Sequence, residues 1–259
     1  MRERLQSITS KLWSWSAIVF LIVIWQLVCV LGLVESFMLP SPVSVVKAFV
    51  EEFDELMLHL RVTLIEAVVG LALGVALGFI IAVAMDAFEV LYKAFYPVII
   101  LTQTVPTVAI APLLVLWFGY EMLPKVILVV MTTFFPIAVG LINGFKSVDA
   151  DEVKLLRAMG ATKIQIFTHI KLPGALGQFF AGLKISASYA VVGAVISEWL
   201  GGFEGLGVYM TRVKKAFAFD KMFAVIFLIS IVSLLLMKLV EVLQKKTMPW
   251  TDMEKDNNS

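Results

Sequence analysis

The chain has 259 residues, 60% of them hydrophobic and 16% charged, with a formal net charge of +1. A water-soluble domain is about 45–50% apolar and about 25% charged, so this composition excludes one and makes lipid the expected solvent. A near-neutral charge with no basic stripe also excludes a simple electrostatic nucleic-acid binder.

From the N-terminus, Arg2, Arg4 and Lys11 precede an apolar stretch from Trp13 to Leu33. It exceeds a secretory h-region of about 7–15 residues and no small-residue cleavage site follows, so it reads as a retained spanning helix. A spanning helix needs about 20 apolar residues, and six runs qualify, near 13–34, 62–85, 95–118, 123–145, 177–200 and 222–244. The reading is an all-α integral membrane protein with six transmembrane helices over 13–245, an N-terminus over 1–12 and a tail over 246–259. Fourteen of the 21 lysines and arginines fall in segments on the side of the termini and seven on the other. Loops rich in these residues stay cytoplasmic, so both ends are expected inside. The cluster Arg212, Lys214, Lys215 and Lys221 runs against that rule. It would attract an anionic solute or an acidic docking protein, or it is a solvated loop touching headgroups; the sequence leaves both open.

Cys29, the single cysteine, can form no intrachain disulfide, and His59 and His169 lack metal-ligand spacing. No metal and no cofactor is expected. In the second span Gly70, Gly74 and Gly78 form a small-residue ridge for close helix contact. The third span carries Thr102, Gln103, Thr104, Pro106 and Pro112. Proline frees backbone carbonyls that lipid cannot satisfy, so this helix should face protein or a pathway. A kinked packing helix and a lining of the translocation route are equally weighted readings. Asn143, near one end of the fourth span, and Glu198, near one end of the fifth, are polar groups at membrane depth and should face a cavity or a partner. For Glu198 the plain alternative is a pair with a lysine of the basic loop after it.

Lys146 to Lys171 is too polar to span. Asp149 with Glu152, and Thr162 with Gln165, have capping-box spacing; Gly160 separates the two short helices so predicted, and Pro173 is expected to end the second. Val153, Leu156 and Gly160 share a face, with Leu155 and Met159 alongside. That stripe suits either an interfacial loop or a docking surface for another protein.

Gly160, nine further residues and Ile170-Lys171-Leu172-Pro173 resemble the cytoplasmic loop motif of bacterial ABC importer permeases: E-A-A, three residues, G, nine residues, I-x-L-P. Lys154, Leu155 and Leu156 stand where that motif has Glu-Ala-Ala, which removes its acidic contact while keeping the spacing. Leu39-Pro40-Ser41-Pro42, the stretch from Pro106 to Gly119, Phe134-Phe135-Pro136, and Glu198 with Gly205-Leu206-Gly207 look like the permeases of nitrate, sulfonate, taurine and thiamine-precursor importers. The resemblance covers residues 35–245 and implies a type I ABC importer permease fold with a cytoplasmic coupling-helix loop over 146–173, in a bacterial cytoplasmic membrane. It implies cytoplasmic ABC ATPase subunits, an external solute-binding protein and a second permease copy as partners. Coupling would fall to Lys154, Leu155, Leu156, Met159, Gly160, Ile170, Leu172 and Pro173, and the translocation pathway to Thr102, Gln103, Thr104, Pro106, Asn143 and Glu198. A thiamine-pyrimidine precursor is the favoured solute, with nitrate, sulfonates, taurine and riboflavin as alternatives.

The chain holds no G-x-x-x-x-G-K-[ST] nucleotide motif, as a permease driven by a separate ATPase requires. A stand-alone secondary transporter or channel is the alternative, but it would show repeated interrupted spans in both halves, or a filter. An intramembrane enzyme would need a catalytic constellation inside the spans, and none is visible, so the chain is read as no enzyme.

Overall fold

The computed structural model describes residues 2–35 and 38–249, and ahead of Ser16 only the side chain of Trp13. The side chains of Arg2, Arg4 and Lys11, and most of the predicted tail, residues 250–259, lie outside the described residues. The described residues are helical and include no strand. They fall into two compact units, Met1–Leu58 with Tyr209–Leu228, and His59–Val208 with Ile229–Ser259.

In the first unit, α1 (Arg2–Val30) ends where Gly32 takes a left-handed φ of 64° and the Leu33 N–H turns back to the Val28 carbonyl. The Trp25 indole donates to the Pro40 carbonyl at 3.1 Å and its ring stacks on Phe227. Ser41 caps α2 (Pro42–Glu51) by accepting from the Ser44 N–H, and Pro42 sits in the first turn, where no N–H is missed. Two short amphipathic helices, α2 and α10 (Leu206–Lys215), were not expected, because a search for long apolar runs passes over them.

Among the described residues four helices are long and apolar enough to cross a membrane: α3 (Phe53–Ala87), α6 (Met122–Lys146), the helix Lys163–Leu200 and α11 (Phe219–Thr247). They hold the second, fourth, fifth and sixth predicted spans. The third departs from expectation. Residues 95–118 do not form one kinked helix but fall in two, α4 (Glu89–Thr102) and α5 (Thr107–Phe118), at 95° to each other. The first predicted span falls in α1, of which Ser16–Val30 is the apolar stretch among the described residues. Among the described residues the count is four continuous spans, or five with the bent pair.

Glycine lets these helices close on one another. A Cβ at Gly78 of α3 would lie 2.9 Å from the Phe134 carbonyl of α6, and one at Gly74 would strike Thr133, so the predicted ridge packs inside the chain. At Gly144 of α6 a Cβ would lie 2.7 Å from Ala175 of α9 (Leu172–Leu200). The side chain of Ser186 in α9 donates to the Thr133 carbonyl at 2.7 Å, polar glue beside Pro136 in an otherwise apolar contact. The helix of the sixth predicted span, α11, runs on into the predicted tail as far as Thr247, and Met248 is buried against Phe180, Ala187 and Val240.

Candidate translocation site and coupling loop

The break between α4 and α5 builds a cavity. Pro106 has no N–H to continue the ladder, so the chain turns over residues 103–106 and Pro106 caps α5, whose Ala109 N–H bonds the Pro106 carbonyl at 2.9 Å. Beside it lies a cavity of about 360 Å³ lined by Thr102, Gln103, Pro106, Thr107, Thr132 and Tyr189, with apolar walls that include Phe134 and Val192. Of the predicted pathway residues, Thr102, Gln103 and Pro106 meet here. Thr104 lies in the same turn but is not among the lining residues, and neither are Asn143 and Glu198. Thr107, Thr132 and Tyr189 were missed, since single polar residues spaced along apolar helices give no periodic signal.

Glu198 belongs instead to a buried polar network, and the expected lysine of the basic loop is not its partner. Its Oε1 accepts from Thr63 at 2.8 Å and its Oε2 from the Gly207 N–H at 2.6 Å. The Leu206 N–H donates to the Thr63 hydroxyl, and the Gly205 N–H to His59 Nδ1 at 3.0 Å. Gly205 has φ +123°, and a Cβ there would run into the Glu198 carboxylate, so the turn requires glycine. Next to it Lys125 and Glu66 pair at 2.7 Å with side chains 5% and 3% exposed. All these charged groups face protein, as membrane-depth charges must.

The polar loop is two helices with a glycine between, as expected. Asp149 caps α7 (Ala150–Ala158), but its carboxylate takes the Asp151 N–H at 2.8 Å rather than closing a box with Glu152. Thr162 and Gln165 do close the predicted box at α8 (Lys163–Ile166). Gly160 turns the chain at φ +85° with nothing near its missing Cβ. Pro173 does not end the second segment. Residues Phe167–Lys171 widen into a π-turn that runs straight into α9, which relieves the clash Pro173 would make with the carbonyl four residues back. Leu155, Met159 and Ile164 are 63%, 74% and 75% exposed, while Val153 and Leu156 on the other face of α7 are half-buried. Lys154, in the place of the motif's glutamate, pairs with Asp151 at 2.7 Å. Ile170, Leu172 and Pro173 are half-buried at the base of the loop, and Lys171 anchors there on Asp86 at 2.7 Å.

The basic cluster is partly neutralised. Arg212 pairs with Glu55 and lies over the Tyr209 ring, and Lys221 pairs with Glu52; Lys214 and Lys215 are exposed. The Lys221 ammonium holds the Glu52 carboxyl below the usual carboxylate range. Burial pushes the Tyr209 phenol up, helped by Glu52, to which its hydroxyl donates at 3.2 Å.

The profile of one protein family, the binding-protein-dependent transport system inner membrane component, matches residues 74–249. Over 232 residues the chain is 38% identical to a formylaminopyrimidine transport permease protein of Halalkalibacterium halodurans, covering 89% of this chain and 92% of that one. It is 31% identical to a putative aliphatic sulfonates transport permease protein of Bacillus subtilis, over 89% and 84% of the two chains. The MetNI methionine ABC transporter in an inward-facing conformation superposes with a TM-score of 0.60 at 18% identity, over 75% of this chain and 94% of that one. At that identity the likeness is one of fold.

Proposed function

Because the chain belongs to the family of binding-protein-dependent transport inner membrane components and has the fold of type I ABC importer permeases, we propose that it moves a thiamine-pyrimidine precursor into the cell as half of a homodimeric permease. A separate cytoplasmic ATPase drives it, and an external binding protein delivers the solute. The observation that carries this reading is the loop: a short helix turned at Gly160 presents Leu155, Met159 and Ile164 to the outside on a rigid base. An apolar patch of that kind, on a segment too polar to cross lipid, is a docking surface. Lys154, Leu155, Met159 and Gly160 make the contact, and Leu156, Ile170, Leu172 and Pro173 hold the loop on the bundle. With both termini inside, this loop faces the cytoplasm, and closure of the ATPases pushes it. Differential contact with the nucleotide states then shifts the helices between inward- and outward-open. Thr102, Gln103 and Pro106 line the route, Thr104 shapes its turn, and Glu198 latches the 201–208 turn. Asn143, exposed near the far end of α6, has no part in the cavity.

The test is affinity purification of the chain in mild detergent after co-expression with its genomic neighbours. Recovery of an ATPase subunit that is lost in Leu155→Asp supports the reading. Recovery of this chain alone, moving solute in liposomes without ATP, would replace it with a stand-alone transporter.

A further inference from the structure

Where α3, α6 and α9 meet the 201–208 turn, four titratable side chains are buried: His59, Glu66, Lys125 and Glu198, each 6% exposed or less. Their charges do not balance. Lys125 answers Glu66 across 2.7 Å. His59 is not a second cation, because its Nδ1 accepts the Gly205 N–H at 3.0 Å and an imidazolium has no lone pair with which to accept. Thr63 and the turn bring only neutral groups, the Thr63 hydroxyl and the Gly207 N–H, to Glu198. The other charged residues of these segments, Arg61, Glu121 and Glu204, are exposed. An ionised Glu198 would therefore leave one negative charge out of water and uncompensated, which a low-dielectric interior strongly disfavours. The geometry points the same way. The Glu66 and Glu198 carboxyls are hydrogen-bonding neighbours, a contact two carboxylates cannot make, since neither carries a hydrogen and their charges repel. Glu66 Oε1 takes the Lys125 ammonium, while Oε2 is buried with no partner among the described residues. A hydrogen on the Glu198 carboxyl supplies what that contact lacks, and Glu66 Oε2 is the acceptor left to receive it.

We infer that Glu66 and Glu198 form a binding site for one proton, so that the group latching the 201–208 turn is a neutral acid at neutral pH. Glu198 carries the proton and Glu66, held by Lys125, accepts from it. The site does not rest on the importer reading and stands or falls apart from it.

The test is infrared difference spectroscopy on the purified chain at neutral pH, in a maltoside detergent that has no carbonyl group of its own. Exposed carboxylates are ionised there and cancel between parent and variant. The parent is expected to show the carbonyl band of one protonated carboxylic acid per chain, shifted in D2O, and Glu198→Gln should lose it. Because an amide offers the same donor and acceptor as a protonated carboxyl, Glu198→Gln should also keep the parent's unfolding temperature, which shows that the lost band is not lost structure. In Glu66→Gln the band should move or vanish, since the acceptor of the shared hydrogen has changed. No acid band in the parent, a band intact in Glu198→Gln, or a band unmoved in Glu66→Gln overturns the inference. So does a marked fall in the unfolding temperature of Glu198→Gln, which would mean that the fold needs the ionised carboxylate.

Discussion

Lys125 and Glu66 are held where water hardly reaches them, so each is needed by the other. Removing one partner of such a pair leaves a buried uncompensated charge and costs about 3–5 kcal/mol, whereas replacing both is often nearly neutral. Lys125→Met should therefore lower the unfolding temperature in detergent sharply, and the double variant Glu66→Gln/Lys125→Met should recover most of the loss. A double variant no more stable than the single would mean that the pair is not the source of the effect. Glu52 offers a milder test, because its carboxyl sits below its ordinary 4.5 through Lys221. A depressed carboxylate stabilises the fold at any pH above its unfolded value and loses that contribution as the pH falls through the folded one. Stability should thus decline below about pH 4.5 more steeply in the parent than in Glu52→Gln, read as unfolding temperature against pH. Parallel profiles would remove Glu52 from the account.

Gly160 makes the loop a turn rather than a longer helix, and φ +85° with open space around it assigns its role to backbone conformation. Proline cannot adopt that φ, so Gly160→Pro should swing α7 away from α8 while the spans insert as before. ATP-coupled uptake should then vanish at unchanged membrane expression, and normal uptake would detach this loop from coupling. The turn and the Thr162 cap were legible in the sequence because each is a local pattern of a few residues, but which side of α7 is presented was not: Val153 and Leu156, read as its apolar face, are half-buried, and Leu155 and Met159 are exposed. The π-turn before Pro173 was not legible either, because a proline reads as a helix end unless the helix can widen around it. Likewise Pro106 announced a disturbance in the third span but not a 95° turn: how far a broken helix bends depends on what it packs against. The Glu66–Lys125 pair joins residues 59 apart, a separation at which charge patterning carries no signal.

Across the whole molecule, long apolar runs were enough to find the four continuous spans, since lipid demands length and apolarity of any crossing helix. Orientation is set by the distribution of lysines and arginines, against which the exposed Lys214 and Lys215 stand. In the orientation proposed above that cluster faces outward, and the pairs Arg212–Glu55 and Lys221–Glu52 answer half of its charge within the protein. The consequence is testable with single cysteines in a Cys29→Ser background. Met159→Cys, on the loop, should react with a membrane-impermeant maleimide in inverted vesicles but not in intact spheroplasts, and Lys214→Cys should show the reverse. Labelling of both from the same side would break the even-span topology. Labelling of Met159→Cys from outside would put the loop beyond the reach of any cytoplasmic ATPase, so coupling through Leu155 and Met159 stands or falls with the side on which that one thiol is found.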